Sequence, residues 1–237
     1  TVLNFPHDTW SYGPLTAELV NNYDNILEIT TKGPVDYNDS LITEWLNSGS
    51  KHNYMLAGQE YLGVRYDFED KDFAPGDFEY DILGVTHSYN DVSYDGTTAS
   101  VDLPTLLFDQ PGSLLGDSLS ILFAGQETDS LQYDPLNENS HIYNWIDGFE
   151  VRSGQAVNLK AETRGIGGVP RVDTVNVATN RVLEAGNKIS FMAFDPISVN
   201  SSPLYYWYGF SSVSIQVQTL DWFGIPRTVT GSMYVGD

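Results

Sequence analysis

Hydrophobic and polar positions in the first sixty residues follow helical and extended patterns in turn. In residues 14–23, Leu15, Leu19 and Val20 lie on one face of a helix. The β-branched run that follows, residues 25–31, lies between turn residues and predicts a strand. The pattern therefore predicts a short helix and then a strand.

The next segment, residues 40–49, again has apolar residues at helical spacing. Asn38 and Asp39 are candidate N-caps, and Gly49 is a candidate stop. Residues 53–58 are apolar and end in Gly, which predicts a buried strand. A strand, a helix and a strand in succession form a βαβ unit with parallel strands. The sequence therefore predicts an α/β fold with a mainly parallel central sheet flanked by helices.

Strand patterns dominate the second half of the chain and predict an extra β-rich region. Residues 188–197 have a strand pattern, and residues 188–194 are nearly all apolar, which predicts a central strand buried on both faces. Residues 211–225 fit both alternation and helical spacing, and we interpret them as a helix ended by Gly224 and Pro226. The other segments with a strand pattern are residues 142–149, 156–164 and 172–183.

Composition narrows the functional classes. The 237 residues include 32 Asp and Glu against 11 Lys and Arg, which gives a net charge of −21. This charge repels phosphate backbones and anionic lipid, so we expect no nucleic-acid binding. No run approaches the roughly 18 apolar residues of a membrane span, so we expect no membrane insertion.

We predict one α/β domain over residues 1–226, with residues 227–237 as a linker or the start of a following element.

The complete absence of cysteine excludes disulfides, thiolate catalysis and cysteine-ligated zinc. Few Lys and many Asn, Asp, Ser, Thr, Gly and Tyr favour an exported protein, so we predict an extracellular or cell-surface location. The opening residues, TVLNFPHDTW, contain neither an initiating Met nor a signal-peptide pattern. They favour a processed product or a segment of a longer protein.

A resemblance to a known family is carried by NILEITT, DYNDSLITEWLNSGSKHNYMLAGQEYLG, GNKISFMAFDPISVN and VQTLDWFGI. These segments resemble class I glutamine amidotransferase-like, flavodoxin-like domains of large secreted bacterial proteins, over residues 25–90 and 185–226. The resemblance implies a flavodoxin-like fold with an elbow between the strand 53–58 and the next helix. True amidotransferases need a Cys at this elbow and a late His-x-Glu. Both are missing, so the amidotransferase reaction is not implied.

The elbow consists of Gly58, Gln59 and Glu60. In one interpretation Glu60 is a general base, or the helix N-terminus binds an anion beside Gly58 and Gln59. In the other, Gly58 permits the tight turn, and Gln59 and Glu60 interact with the N-terminal amides. A companion nucleophile is missing, because neither G-x-S-x-G nor a Cys occurs. The missing nucleophile favours the second interpretation, and under the first interpretation Glu60 is the catalytic candidate.

An acidic run follows the elbow. The candidate calcium ligands are Asp67, Glu69, Asp70 and Asp72. Oxygen ligands clustered in a loop suit Ca²⁺, but the run lacks the EF-hand spacing, and a solvated acidic loop is the alternative. Asn90, Asp91 and Asp95 form a second candidate of the same kind.

Four aromatic residues are contiguous from Tyr205 to Tyr208. They cannot all face inward on a strand or a helix. Tyr206 and Trp207 are therefore candidate contacts for a sugar or a protein. The alternative is that these aromatics seal a loop onto the core.

Three functional hypotheses follow. The first is a non-catalytic extracellular structural or binding module of a bacterial surface protein, which assembles with itself or binds other surface proteins or glycans. The second is a hydrolase that uses Glu60 at the elbow. The third is a carbohydrate-binding domain that uses Tyr206 and Trp207.

Overall fold

A computed structural model describes residues 2–4, 15–30, 37–94, 105–110, 130–133, 144–163, 174–196, 199–200, 210–225 and 228–230. The strands are β1 Val2–Asn4, β2 Asn25–Ile29, β3 Asn53–Ala57, β4 Lys71–Asp72, β5 Val85–Tyr89, β6 Thr105–Asp109, β7 Ser130–Tyr133, β8 Gly148–Val151, β9 Ala156–Glu162, β10 Thr174–Val182, β11 Lys188–Met192, β12 Val199–Asn200 and β13 Thr228–Thr230. The helices are α1 Ala17–Val20, α2 Asp39–Ser48, α3 Tyr61–Arg65, a π-helix Glu79–Leu83, and α4 Phe210–Phe223.

The predicted βαβ unit is confirmed. Strands β2 and β3 pair in parallel along their whole lengths, with α2 between them in the chain. Helix α2 buries Ile42, Trp45 and Leu46, the apolar residues that gave the helical pattern. The indole of Trp45 also donates to the carbonyl of Tyr23 at 3.2 Å. Local periodicity is therefore sufficient to place this part of the chain.

Eleven strands form one mixed sheet in the order β12-β7-β6-β9-β10-β11-β3-β2, with β4, β5 and β8 attached beside β10. Among the described strands, the pairs β2–β3 and β3–β11 are parallel. The other pairs of this sheet are antiparallel. The prediction of a mainly parallel, flavodoxin-like α/β sheet is therefore wrong, and the fold is dominated by a mixed β-sheet.

A hairpin explains the error. The amide of Leu183 donates to the carbonyl of Asn187 at 2.8 Å, and Gly186 takes a φ of 90° in the turn between β10 and β11. The chain therefore reverses, and β11 lies antiparallel to β10 and parallel to β3. Strand β11 is apolar because it lies between two layers of side chains, and this burial carries no information about strand direction.

Helices pack on both faces of the sheet. On one face Trp45, Leu62 and Leu83, from α2, α3 and the π-helix, pack in one cluster with Leu56 and Phe191 of the sheet. On the other face α4 contributes Ile215 and Phe223 to a second cluster. The helix predicted over residues 211–225 is therefore confirmed, and it packs against the second cluster.

The side chain of Asn187 joins the β10–β11 hairpin to the end of α2. Its amide donates to the carbonyls of Leu46 and Gly49, the latter at 2.8 Å, and its oxygen accepts from the amide of His52 at 3.1 Å. Asn187 is fully buried, so these bonds satisfy carbonyls that the helix end leaves unpaired. A residue distant in sequence thus caps the helix.

Arg65 of α3 is the centre of a buried ionic network. Its guanidinium lies 3.1 Å from the carboxylate of Glu79 and pairs with Asp39. It also donates to the Tyr61 hydroxyl at 2.8 Å and lies over the Tyr37 ring at 4.5 Å. The network connects α2, α3 and the π-helix, and Arg65 counteracts the effect of burial, which raises the pKa of Glu79.

Strand β13 lies inside the segment predicted as a linker, residues 227–237, and pairs antiparallel with β1. The boundary at residue 226 stays a prediction. Among the described helices, none is both long and apolar enough to cross a membrane.

Candidate functional site

The elbow after β3 needs glycine at position 58. A Cβ at this position would lie 2.1 Å from the carbonyl oxygen of Thr30, closer than any real contact. The amide of Gly58 donates to the carbonyl of Met192 at 3.0 Å, and the amide of Thr30 donates to that of Ala57 at 2.8 Å. Gly58 therefore allows three strand ends to meet, and its role as a ligand contact stays a prediction.

Gln59 and Glu60 point into the protein. Gln59 is 2% exposed, and its side-chain oxygen accepts from the amide of Trp145 at 3.3 Å. Glu60 is 6% exposed, occupies the N-cap position of α3 and makes no capping hydrogen bond with its side chain. The two residues are thus sealed inside, and Glu60 does not satisfy the helix amides as one interpretation of the elbow proposed.

Asp147 satisfies an amide at this end of α3. Its carboxylate accepts from the amide of Gly63 at 2.8 Å and from the amide of Asp91 at 3.2 Å. Asp147 is fully buried. The anion at this short helix is therefore the protein's own carboxylate. It belongs to residues 142–149, whose sequence pattern predicted only a strand.

Glu60, Asp91 and Asp147 form what we call the carboxyl cluster. A Cβ on Gly63 would lie 3.2 Å from a carboxylate oxygen of Glu60 and 3.5 Å from one of Asp147, so both surround the same backbone position. The side-chain amide of Asn90 donates to the carboxylate of Asp91 at 2.8 Å and so borders the cluster. That same oxygen of Glu60 is buried and has no hydrogen-bond partner.

Burial and mutual repulsion control protonation in this cluster. Burial, with the charge of Asp91, raises the pKa of Glu60 to about 8. Burial raises the pKa of Asp147 well above its usual range, and the charge of Glu60 adds to the effect. Glu60 therefore carries its proton at neutral pH, and three neighbouring carboxyl groups do not all ionise.

A carboxyl group protonated at neutral pH has the protonation state of a general acid. The geometry limits this chemistry, because the Glu60 side chain is almost completely enclosed. The cluster can hold a proton, but the described residues leave Glu60 little contact with solvent or substrate.

The predicted calcium site does not assemble. Asp70 accepts from the amide of Asn90 at 2.9 Å, whereas Asp72 lies 2.7 Å from the ring of His87. Asp67 and Glu69 are exposed. Over the part of the chain that the structure describes, no group of three or more acidic or His side chains is placed to hold a metal ion. The acidic run forms ordinary surface contacts, and the calcium prediction is wrong for these residues.

Two predictions lie outside the described residues. Tyr206 and Trp207 belong to the stretch between residues 200 and 210, and Asp95 follows the last described residue of its own stretch. Their proposed contacts stay predictions.

A cavity of about 600 Å³ lies at the opposite end of the sheet from the elbow. Its described lining comes from the turn before β9, from β9, from the end of β10 and from α4: Arg152, Ser153, Gly154, Gln155, Ala156, Asn158, Asn180, Arg181, Val182 and Trp222. No sequence pattern indicates this site, because Arg152 and Arg181 have no motif spacing and are brought together only by the pairing of β9 with β10.

Comparisons with known proteins add little. No family model matches the chain, and no curated protein matches it. A solved structure that matches is described as the mmIFT52 N-terminal domain, with 13% identity and a TM-score of 0.49 over 93% of this chain and 83% of that chain. Similarity at this level carries no argument about function.

The resemblance to glutamine amidotransferase-like, flavodoxin-like domains is wrong. The sheet lacks the mainly parallel order which that resemblance implied, because most of its strand pairs are antiparallel. The segments that carried the resemblance are real helices and strands, but short strand–helix–strand patterns of this kind occur in many folds.

Proposed function

We propose that this chain is a non-catalytic binding module. The observation that carries the proposal is the closure of the elbow, where enzymes of similar local layout expose a nucleophile. Gln59 and Glu60 fill this turn with buried side chains, and Asp147 occupies the amide of Gly63. The elbow therefore packs against the rest of the protein and presents no reactive group to solvent.

The absence of a nucleophile supports the same proposal. The chain has no Cys, and Glu60, the acidic residue at the elbow, keeps its proton near neutral pH. A protonated, enclosed carboxyl group is neither a nucleophile nor a base. Among the described residues, an accessible concave surface lies at the far end of the sheet, around Arg152 and Arg181.

A panel of chromogenic esters, phosphoesters and glycosides tests the proposal, assayed from about pH 5.5 to 8.5 with the wild type and Glu60→Gln. We expect no turnover by either protein above the rate in buffer. The matched control is Glu69→Gln, which removes an exposed carboxylate from the neighbouring loop.

One observation favours a second candidate, a hydrolase that uses Glu60. A pKa of about 8 is typical of carboxyl groups that act as general acids. This candidate predicts a rate that falls as pH rises through about 8 and disappears in Glu60→Gln. A rate with these two properties, unchanged in Glu69→Gln, would replace the binding module with the hydrolase.

Self-assembly and an extracellular or cell-surface location stay predictions that rest on composition. Light scattering on the purified chain measures the first directly. A discrete mass above the 26.4 kDa of one chain would support homo-oligomers, and a monomer at every concentration would contradict them.

A further inference from the structure

We propose that the cavity around Arg152 and Arg181 binds an anionic sugar, meaning a small polyhydroxylated molecule with a carboxylate or a phosphate group. The inference rests on the proposed function, since it names the class of ligand that the binding module takes. It depends on the cations of the cavity, one buried amide side chain, and the size and polarity of the wall.

The cations make the cavity an exception on this molecule. The chain has a net charge of −21, yet the described wall of the cavity contains two arginines and no carboxylate. Ion pairs within the described stretches involve Arg65 and His87, and the carboxylate of Asp81 acts on Arg181 only from beyond ion-pair distance. Two neighbouring guanidinium groups with no carboxylate in contact favour an oxyanion, which they bind through paired hydrogen bonds.

Tyr80 holds both arginines in place. Its carbonyl accepts from Arg181 at 3.2 Å, and the same nitrogen of Arg181 also donates to the carbonyl of Asp81. The guanidinium of Arg152 lies over the Tyr80 ring, 4.6 Å from its centre. These contacts use one nitrogen of Arg181, whereas a guanidinium has five N–H donors. The remaining donors are positioned before any ligand arrives, which reduces the entropy lost on binding.

Asn180 supplies the independent observation. It lines the cavity and is only 7% exposed, yet neither its side-chain nitrogen nor its oxygen has a hydrogen-bond partner. A buried amide without partners is unfavourable. Hydroxyl groups both donate and accept hydrogen bonds, so a ligand that carries them satisfies this amide once the side chain turns toward the cavity.

The cavity is larger than a bare oxyanion, so an oxyanion alone would not fill it. A cavity of about 600 Å³ lies within the range of small-molecule sites. Beyond the arginines, its wall carries the amide side chains of Gln155, Asn158 and Asn180, with the indole of Trp222 on one side. Amides match hydroxyl groups, and an aromatic face packs against the apolar face of a sugar ring.

An amide-resolved NMR titration of the 237-residue chain tests the site with glucuronate, a glucose phosphate, glucose and inorganic phosphate. We expect saturable shifts from at least one of the two anionic sugars, confined to residues 152–158 and 180–182. The two arms distinguish a carboxylate ligand from a phosphate ligand. Glucose and inorganic phosphate should each bind at least roughly tenfold more weakly, because each lacks one half of the recognised chemistry.

Arg152→Met should weaken binding by about tenfold or more, since one charge-assisted contact is lost. Asn180→Asp keeps the shape of the side chain but adds negative charge, and should abolish binding. Lys71→Met is the matched control, because it removes an exposed cation from β4, and it should bind like the wild type. Asn180→Asp is interpreted only with a native spectrum, and Arg152→Met decides the matter where that variant unfolds.

Three results would overturn the proposal: no saturable shift with folded wild type, equal affinity for the sugar ligand and for glucose or phosphate alone, or unchanged affinity in Arg152→Met. The same spectra separate this failure from failure of the proposed function. Appearance of product signals would contradict a non-catalytic module, whereas absence of binding contradicts only the anionic-sugar site.

Discussion

Replacing Glu60 by Gln tests the electrostatics of the carboxyl cluster. The pKa of Glu60 is raised to about 8 in the folded protein, from about 4.5 for an unperturbed Glu. Between these values the folded state binds a proton that the unfolded state has released. Stability from this group is therefore complete below the unfolded pKa and is lost as pH rises through the folded pKa.

The magnitude follows from the two pKa values. From about pH 5.5 to about pH 7.5, the linkage relation gives a loss of about 2.5 kcal/mol in the free energy of unfolding from Glu60 alone. Asp147 is shifted in the same direction and couples to Glu60, so the wild type should lose at least this amount. Gln has nearly the same shape as protonated Glu and cannot ionise. The Glu60→Gln variant should therefore lose less stability by about 2.5 kcal/mol.

Urea unfolding monitored by tryptophan fluorescence at the two pH values measures the effect. The general repulsion among the acidic residues of a chain of net charge −21 contributes to both proteins and cancels in the comparison. Glu69→Gln should behave like the wild type, because its side chain is exposed. Equal losses of stability in the wild type and Glu60→Gln would refute the assignment of a buried proton to Glu60.

Three further substitutions test the packing that holds the site. Arg65→Met should destabilise the protein by about 3–5 kcal/mol in urea unfolding, because it leaves the buried carboxylate of Glu79 without its cation. Adding Glu79→Gln to this variant should restore part of the lost stability. Gly58→Ala should reduce the melting temperature sharply, because its Cβ would lie 2.1 Å from the carbonyl oxygen of Thr30. A melting temperature equal to that of the wild type would contradict the tight elbow. Asn187→Ala should destabilise the protein by about 3 kcal/mol, because it removes three hydrogen bonds that are buried or partly buried. Hydrogen exchange should increase first at the end of α2, and uniform exchange would contradict this local role.

Sequence patterns predicted what depends on near neighbours. The helical spacing around Trp45, the strand at residues 53–57 and the glycine at position 58 each follow from a few adjacent residues. The direction of β11 could not be predicted in the same way. Burial makes a central strand apolar whether it runs parallel or antiparallel, and the hairpin at Gly186 decides its pairing with β10.

The candidate sites were predicted less well than the elements, because each joins residues distant in the chain. Glu60 was identified from its place after β3, but its partner Asp147 meets α3 across 84 residues. Burial and the charge of Asp91 raise the pKa of Glu60 and change its interpretation from an accessible base to a buried acid. Arg152 and Arg181 gave no signal at all, since isolated arginines without motif spacing are ordinary surface residues.

The mixed sheet explains why the open cavity lies where it does. In parallel α/β sheets, ligands bind beyond the carboxyl ends of the strands. Here the carboxyl end of β3 is closed by Gly58 and the carboxyl cluster. The antiparallel strand β10 instead brings its own carboxyl end, with Arg181, to the opposite end, where β3 and β11 begin. A ligand of this protein should therefore shift amides near Arg181 and leave those of Gly58 and Gly63 unchanged. Shifts centred on the elbow would show that the parallel strands, and not β10, determine the binding site.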